Sequence, residues 1–155
     1  PDSLSCNFIV KYRNSSGQCS VNGKSLFYFD DEKQEENATE VCAGLYQSLK
    51  DTFDKMTNQE SGLFKSQGNR PLQVRTQSQY NQGEFTDRRW AFTVDEQYSF
   101  YFYAKNMTWR EGHPDAIRTM RQWESNTKLV QSLRTLSRGD FSSCLKKPKH
   151  SREMP

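Results

Sequence analysis

Residues 89–110 read RWAFTVDEQYSFYFYAKNMTWR. Aromatic and β-branched side chains dominate, and such residues suit a pleated, half-buried surface. Segment 88–94 (RRWAFTV) predicts one strand and segment 97–104 (QYSFYFYA) a second, around a short turn at Asp95-Glu96. A connection that short makes the pair antiparallel. Residues 106–110 (NMTWR) continue as a further short strand. Upstream, segment 71–80 (PLQVRTQSQY) alternates as a long half-buried strand. Downstream, Pro114 marks a helix start, because a proline at the first helical position forfeits no hydrogen bond. Asp115 suits the positive end of that helix dipole. The helix stripe is Ile117, Met120 and Trp123, then Val130, Leu133 and Leu136. The polar patch Ser125-Asn126-Thr127 interrupts it and predicts a kink.

The first half repeats this order. Segments 6–12 (CNFIVKY), 18–22 and 25–30 (SLFYFD) read as strands. Asn22-Gly23 favours a type I′ hairpin between the last two, since both positions need positive φ. An acidic stretch, 30–36, precedes a helix at 38–58. Val41, Leu45, Leu49, Phe53 and Met56 form its apolar stripe at a 3.6-residue period. Asn37 with Glu40 resembles a capping box. Residues 59–70 are a connector punctuated by Gly62 and Gly68, with Pro71 at its end. Strands then helix, twice over, predict an α+β fold. One antiparallel sheet would carry both helices on one face.

Composition bounds the function. With 155 residues, the chain is one ordinary domain or two small layers sharing a core. The net charge is only +3, too small to mark a dedicated nucleic-acid binder. Mean hydropathy is −1.00, which predicts a thin core. The 10 Phe, 7 Tyr and 3 Trp nevertheless exclude a disordered composition. Cys6, Cys19, Cys42 and Cys144 form no CxxC pair, and His113 and His150 are far apart, so a zinc site is poorly supported. Two disulfides, hence an oxidising compartment, are the better reading. Three sequons agree with it: Asn14-Ser15-Ser16, Asn37-Ala38-Thr39 and Asn106-Met107-Thr108, each a surface glycan acceptor in a secreted chain. No apolar run approaches the ~20 residues needed to span a bilayer. The chain begins at Pro1, as a processed ectodomain would, and any membrane anchor is expected beyond residue 155.

Catalytic chemistry is not visible. His113 reads as a helix-start residue and His150 as part of a solvated tail. Asp30 and Asp31 read as a solvated acidic loop rather than a catalytic pair. No phosphate-cradling or dinucleotide motif occurs, and no cofactor is implied. The basic residues 146–155 (KKPKHSREMP) form a tail without interleaved aromatics, which favours a stalk over a nucleic-acid site. The Met and Trp residues of the second helix read as a core face rather than a ligand pocket. What remains is a pair of polar helix ridges, a broad platform suited to a protein partner.

This layout resembles the α1–α2 platform of class I major histocompatibility molecules. More closely it is similar to the class I-like ligands of the natural killer group 2D receptor, within them the mouse retinoic-acid-early-inducible and minor histocompatibility antigen groups. The segments that carry the match are SLSCNFIVKY (3–12), NATEV (37–41), LQV (72–74), residues 89–110 with their W-x-F and N-M-T-W-R elements, and HPDAIRTMRQWE (113–124). The resemblance implies an eight-stranded antiparallel sheet with two long helices on one face. Residues 1–145 would be a single platform (halves 1–62 and 63–145), residues 146–155 a stalk, and no third immunoglobulin-like domain would follow.

The resemblance further implies a cell-surface ligand that binds neither peptide nor β2-microglobulin and contacts the membrane only through an anchor outside this segment. The receptor would be a C-type-lectin-like homodimer on natural killer and T cells, straddling both helices. A class I-like lipid or small-molecule carrier is the alternative. Class I platforms pair a cysteine in the first strand of the second half with one in helix two, but Ser78 stands about there. The family's pairing of strand one with the next strand fits Cys6–Cys19, which implies that Cys42 and Cys144 join the two helices. Expected receptor contacts are Gln47, Lys50 and Asp54 on helix one. On helix two they are Arg118, Gln122, Asn126, Lys128 and Leu129. Leu129 reads equally as an exposed anchor beside the kink or as a core leucine.

Overall fold

The computed structural model describes residues 4–11, 14–31, 40–57 (side chains 44–55), 71–94 and 97–137. Seven strands fall within them: β1 (Leu4–Val10), β2 (Ser16–Val21), β3 (Lys24–Asp30), β4 (Leu72–Asn81), β5 (Glu84–Val94), β6 (Tyr98–Tyr103) and β7 (Thr108–Glu111). They form one antiparallel sheet in the order β3-β2-β1-β4-β5-β6-β7. The expected eighth strand is not among the described residues. The helices are α1 (Glu40–Thr57), α2 (Ile117–Glu124) and α3 (Thr127–Ser137), the last two replacing one long helix. The capping box at Asn37, the connector 59–70, the Asp95-Glu96 turn, His150 and the tail lie outside the described residues.

Hairpin chemistry fixes the sheet. Asn22 and Gly23 have φ of 53° and 84°, as a type I′ turn requires. Gln82 and Gly83 repeat that geometry at 53° and 83°. This second hairpin extends β5 four residues upstream of the expected start. Strand alternation then sends Leu4, Cys6, Phe8 and Val10 to one face, with Phe27, Phe29, Leu72, Val74, Trp90, Phe92, Phe100 and Phe102. A disulfide joins Cys6 to Cys19 directly across β1 and β2. At Gly17, opposite Phe8, an added Cβ would run into the Phe8 ring.

Both helical layers cover this one face. Leu45, Leu49 and Phe53 of α1 and Leu129, Leu133 and Leu136 of α3 join the same core. Trp123 is fully buried against Phe92 and Phe100, at ring distances of 5.5 and 6.4 Å, so it is core and lines no ligand pocket.

Polar bonds set where the helices lie. The Tyr46 hydroxyl of α1 sits 2.7 Å from the Ser15 carbonyl and 2.9 Å from Asp31 Oδ1, its one proton shared between them. Ser15 N–H donates to the other Asp31 oxygen at 2.8 Å, and Lys50 Nζ reaches Oδ1 at 3.2 Å. Asp31 is exposed, as a residue of a solvated loop would be, yet it serves as a latch between α1 and the β1–β2 connection. At the other end of the platform, Trp90 Nε1 donates to Ser137 Oγ (2.7 Å) and Arg88 Nη1 donates to the Ser137 carbonyl (3.1 Å), fixing the last turn of α3. Burial lowers the pKa of Arg88, which nonetheless remains a cation.

The break between α2 and α3 is built by Asn126. Its Oδ1 accepts from Leu129 N–H (3.1 Å), the N-cap bond of α3. Its Nδ2 donates across to Thr52 Oγ1 of α1 (2.8 Å). One side chain thus starts a helix and ties it to its neighbour. The new start also resets the helical phase. Leu129, not Val130, aligns with Leu133 and Leu136; it is fully buried, while Val130 is half-buried.

Three outcomes follow. Tyr46→Phe should destabilise the fold by about 1–2 kcal/mol in urea unfolding, the usual effect of losing a buried hydrogen bond. Burial alone would raise the Asp31 pKa. The bonds from Ser15, Tyr46 and Lys50 outweigh it and hold the carboxyl below its usual 3.8. A depressed carboxylate contributes stability above that usual value, lost as pH falls through the lower folded value. Asp31→Asn should therefore flatten the acid limb of stability below about pH 4, leaving the slope at neutral pH unchanged. Asn126→Ala should cost about 1–3 kcal/mol, while Asn126→Ser keeps the cap but not the reach to Thr52 and should recover part of it.

Candidate functional site

The helices present two separate polar clusters. On one flank of α1, Gln47, Lys50 and Asp54 border a depression of about 260 Å³ with Lys11, Ser15 and Asp31. The three helical positions share a face because they lie three and four residues apart. Gln47 Nε2 donates to Asp51 Oδ1 (2.8 Å), and the Lys50 ammonium lies 4.4 Å from the Tyr46 ring centre while bound to Asp31. Lys50 is thus held down by the latch rather than raised toward a partner.

The second cluster surrounds the helix break. Thr52 and Lys55 of α1, Gln122 of α2, Ser125, Asn126, Thr127 and Lys128 border a depression of about 430 Å³. Among the described residues it is rimmed by two lysines, hydroxyls and amides, and by no carboxylate. The two residues of the Asn126–Thr52 bond both line it, so the bond ties its two sides together. Lys128 also crosses toward α1, its Cε lying 3.9 Å from where a Cβ on Gly44 would stand. Such a site can accept hydrogen bonds and negative charge from above but offers no apolar trough.

The expected contact residues divide accordingly. Gln122, Asn126 and Lys128 meet at the break; Gln47, Lys50 and Asp54 meet on the flank. Arg118 is exposed on α2 and borders neither depression. Leu129 is a correction: it has no exposed surface and belongs to the core, because the break at Asn126 rotates α3 relative to the phase of α2. Thr52 and Lys55 were not singled out by sequence. Their signal was spacing: with Ser48 they form an i, i+4, i+7 row beside the apolar stripe, the row that meets the second helix.

Of the remaining residues, Asn14 and Asn106 are both exposed in turns, and Thr108 Oγ1 donates to Asn106 Oδ1 within its sequon (2.7 Å). Asn37 and Cys144 lie outside the described residues, as does the side chain of Cys42. His113 caps the 3-10 turn Pro114–Ala116, its Nδ1 accepting from Asp115 N–H at 3.0 Å. Among the described residues no three His, Cys, Asp or Glu side chains cluster as a metal site would need. No described helix is long and apolar enough to cross a membrane.

Comparison with known proteins agrees with this platform of helices on one face of a sheet. Residues 17–150 match the family described as class I histocompatibility antigen, NKG2D ligand, domains 1 and 2. Histocompatibility antigen 60b of Mus musculus is 51% identical over 155 residues, covering 99% of this chain and 59% of that protein. Histocompatibility antigen 60c of Mus musculus is 48% identical over 153 residues, covering 98% of this chain and 74% of that protein. The chain thus spans a little over half of the first relative and about three quarters of the second. With the family match running from β2 past the last described helix, and the sheet and helices in the order such a platform requires, this chain belongs to the MHC class I-like family of NKG2D ligands.

Proposed function

We propose that this chain is the receptor-binding platform of a cell-surface ligand for NKG2D, the natural killer group 2D receptor. The family match over both platform halves carries the reading. The geometry supports it: a broad polar surface on two helices bonded together through Asn126 and Thr52 suits a protein partner. The same bond, and the hydrophilic lining of the depression at the helix break, weigh against a groove filled by peptide or lipid. In this reading residues 1–145 act as one platform, 146–155 as a stalk, and the ligand works without β2-microglobulin or a third domain. A homodimeric receptor straddles the platform, one half over the flank of α1 and the other over the helix break. Cys42 and Cys144 form a second disulfide joining the helices, and Asn14, Asn37 and Asn106 carry glycans.

Surface plasmon resonance against soluble dimeric receptor tests the reading. Saturable binding is expected, and its absence at micromolar receptor with folded protein would overturn it. Within the footprint, the joint substitution Lys55→Ala and Lys128→Ala should weaken binding about tenfold or more, since anchors at the centre of a contact carry most of its energy. Lys50→Ala should weaken binding little, because its ammonium is committed to Asp31. Leu129→Ala should lower stability by roughly 2–5 kcal/mol through a core cavity and alter affinity only through that loss. Non-reduced peptide mapping should recover Cys42 linked to Cys144, and a Cys42 peptide found with a free thiol would remove that bond from the reading.

A further inference from the structure

The sheet has a second face, opposite the helices, and its side chains follow from register. Tyr28, Gln18, Asn7, Arg75, Ala91, Tyr101 and Arg110 form one row across the seven strands. The next row toward the start of β5 contains Gln77, Arg89, Tyr103 and Thr108. Three arginines therefore surround Ala91 and Tyr101 on adjacent strands. Arg75 and Arg110 are exposed and stand three strand spacings apart, roughly 14 Å.

Among the described residues no carboxylate is ion-paired to these arginines. Register places two carboxylates on this face: Asp30 on the distant edge strand β3, and Asp87, next to Arg89 along β5 but with its Oδ1 taken up by the N–H groups of Arg88 and Lys105. Arg89 is instead built into the surface. Its guanidinium lies 4.2 Å from the Tyr101 ring centre and donates to Gln77 Oε1 (2.6 Å) and the Tyr103 hydroxyl (3.0 Å). Arg110 lies over the Tyr103 ring at 5.5 Å. Stacking and hydrogen bonding hold these planar cations at fixed positions, which favours recognition of a fixed array of anions.

We propose that this helix-free face is a docking surface for a sulfated glycosaminoglycan. Charge complementarity selects an anion. Around the arginines the face offers the amides and hydroxyls of Gln73, Gln77, Thr93 and Ser99 and the half-buried rings of Tyr101 and Tyr103, while Tyr28, exposed on the same face, stands apart on the edge strand β3. Protein contacts are dominated by buried aromatic and apolar anchors, whereas this surface supplies charge and hydrogen-bond donors on a flat ledge. A linear polyanion can lie along such a ledge and meet two or three arginines at once. The choice of an extracellular polyanion rests on the cell-surface reading. The surface itself does not overlap the helices, so glycan and receptor bind on opposite faces.

The test is retention and binding on immobilised heparin, with receptor binding measured on the same samples. The unaltered chain should bind heparin at about 0.15 M salt and release at higher salt, because screening weakens exposed charge pairs. The double variant Arg75→Ala, Arg110→Ala should bind heparin at least about tenfold more weakly with receptor affinity and thermal unfolding unchanged. Lys146→Ala, Lys147→Ala and Lys149→Ala together should leave heparin binding in place. Loss with the tail variant but not the arginine variant would overturn the proposal, as would equal binding to desulfated heparin. Loss of receptor binding with heparin binding intact would overturn the receptor reading and leave this surface standing. Capture of a protein in place of glycan, lost in the arginine variant, would also refute the proposal.

Discussion

Everything above the sheet depends on one constraint: only one of its faces is apolar. Phe8, Phe27, Phe29, Phe92, Phe100, Phe102, Trp90 and the aliphatic residues between them all point the same way. That face must be covered by two helical layers drawn from a chain that is only 33% hydrophobic. Burial drives the covering but is non-directional. Direction comes from three polar anchors on the rim: Tyr46 on Ser15 and Asp31, Ser137 on Arg88 and Trp90, and Asn126 on Thr52. Each joins a helix to a different element, so the helices are located and not merely adsorbed.

The break in the second helical layer belongs to the same economy of apolar residues. A seven-stranded sheet twists. A straight helix laid across it would lift its stripe off the surface at one end. Ending α2 at Glu124 and restarting at Thr127 keeps Trp123 over Phe92 and Phe100 and brings Leu129, Leu133 and Leu136 down onto the core. The polar residues at the break then emerge on top, where they form the depression next to Lys55.

This explains what was legible in the chain. Strands showed through aromatic and β-branched runs, and Asn22-Gly23 announced its turn because asparagine tolerates positive φ. Gln82-Gly83 adopts the same turn without announcing it, since glutamine carries no such preference and β4 and β5 are polar near it. That is why β5 began four residues early. The kink at 125–127 was visible as a polar interruption, but its consequence was not. A restart changes which residues face inward, and periodicity carried across the break assigned Val130 to the core and left Leu129 open. The flank cluster was legible as spacing on one helix. The break cluster joins residues as far as 74 positions apart, Thr52 and Asn126, and only the register of α1 against α3 brings them together.

Net charge was informative about class and silent about place. A total of +3 reads as nearly neutral, yet the charges are sorted by surface. Carboxylates gather on the outer flank of α1, where Asp31, Asp51 and Asp54 accompany Lys50. Lysines rim the helix break with no carboxylate beside them among the described residues. The arginines of the opposite face sit among tyrosines, amides and hydroxyls. Each arrangement has its own physical reason. The flank needs a carboxylate to hold Tyr46 and Ser15; the break needs neutral caps, because Asn126 must both accept and donate. On the far face, tyrosine rings and guanidinium planes cover Ala91 without a carboxylate. A near-zero sum therefore hides three local charge arrangements, one rich in carboxylates and two in cations, and each can select a different partner.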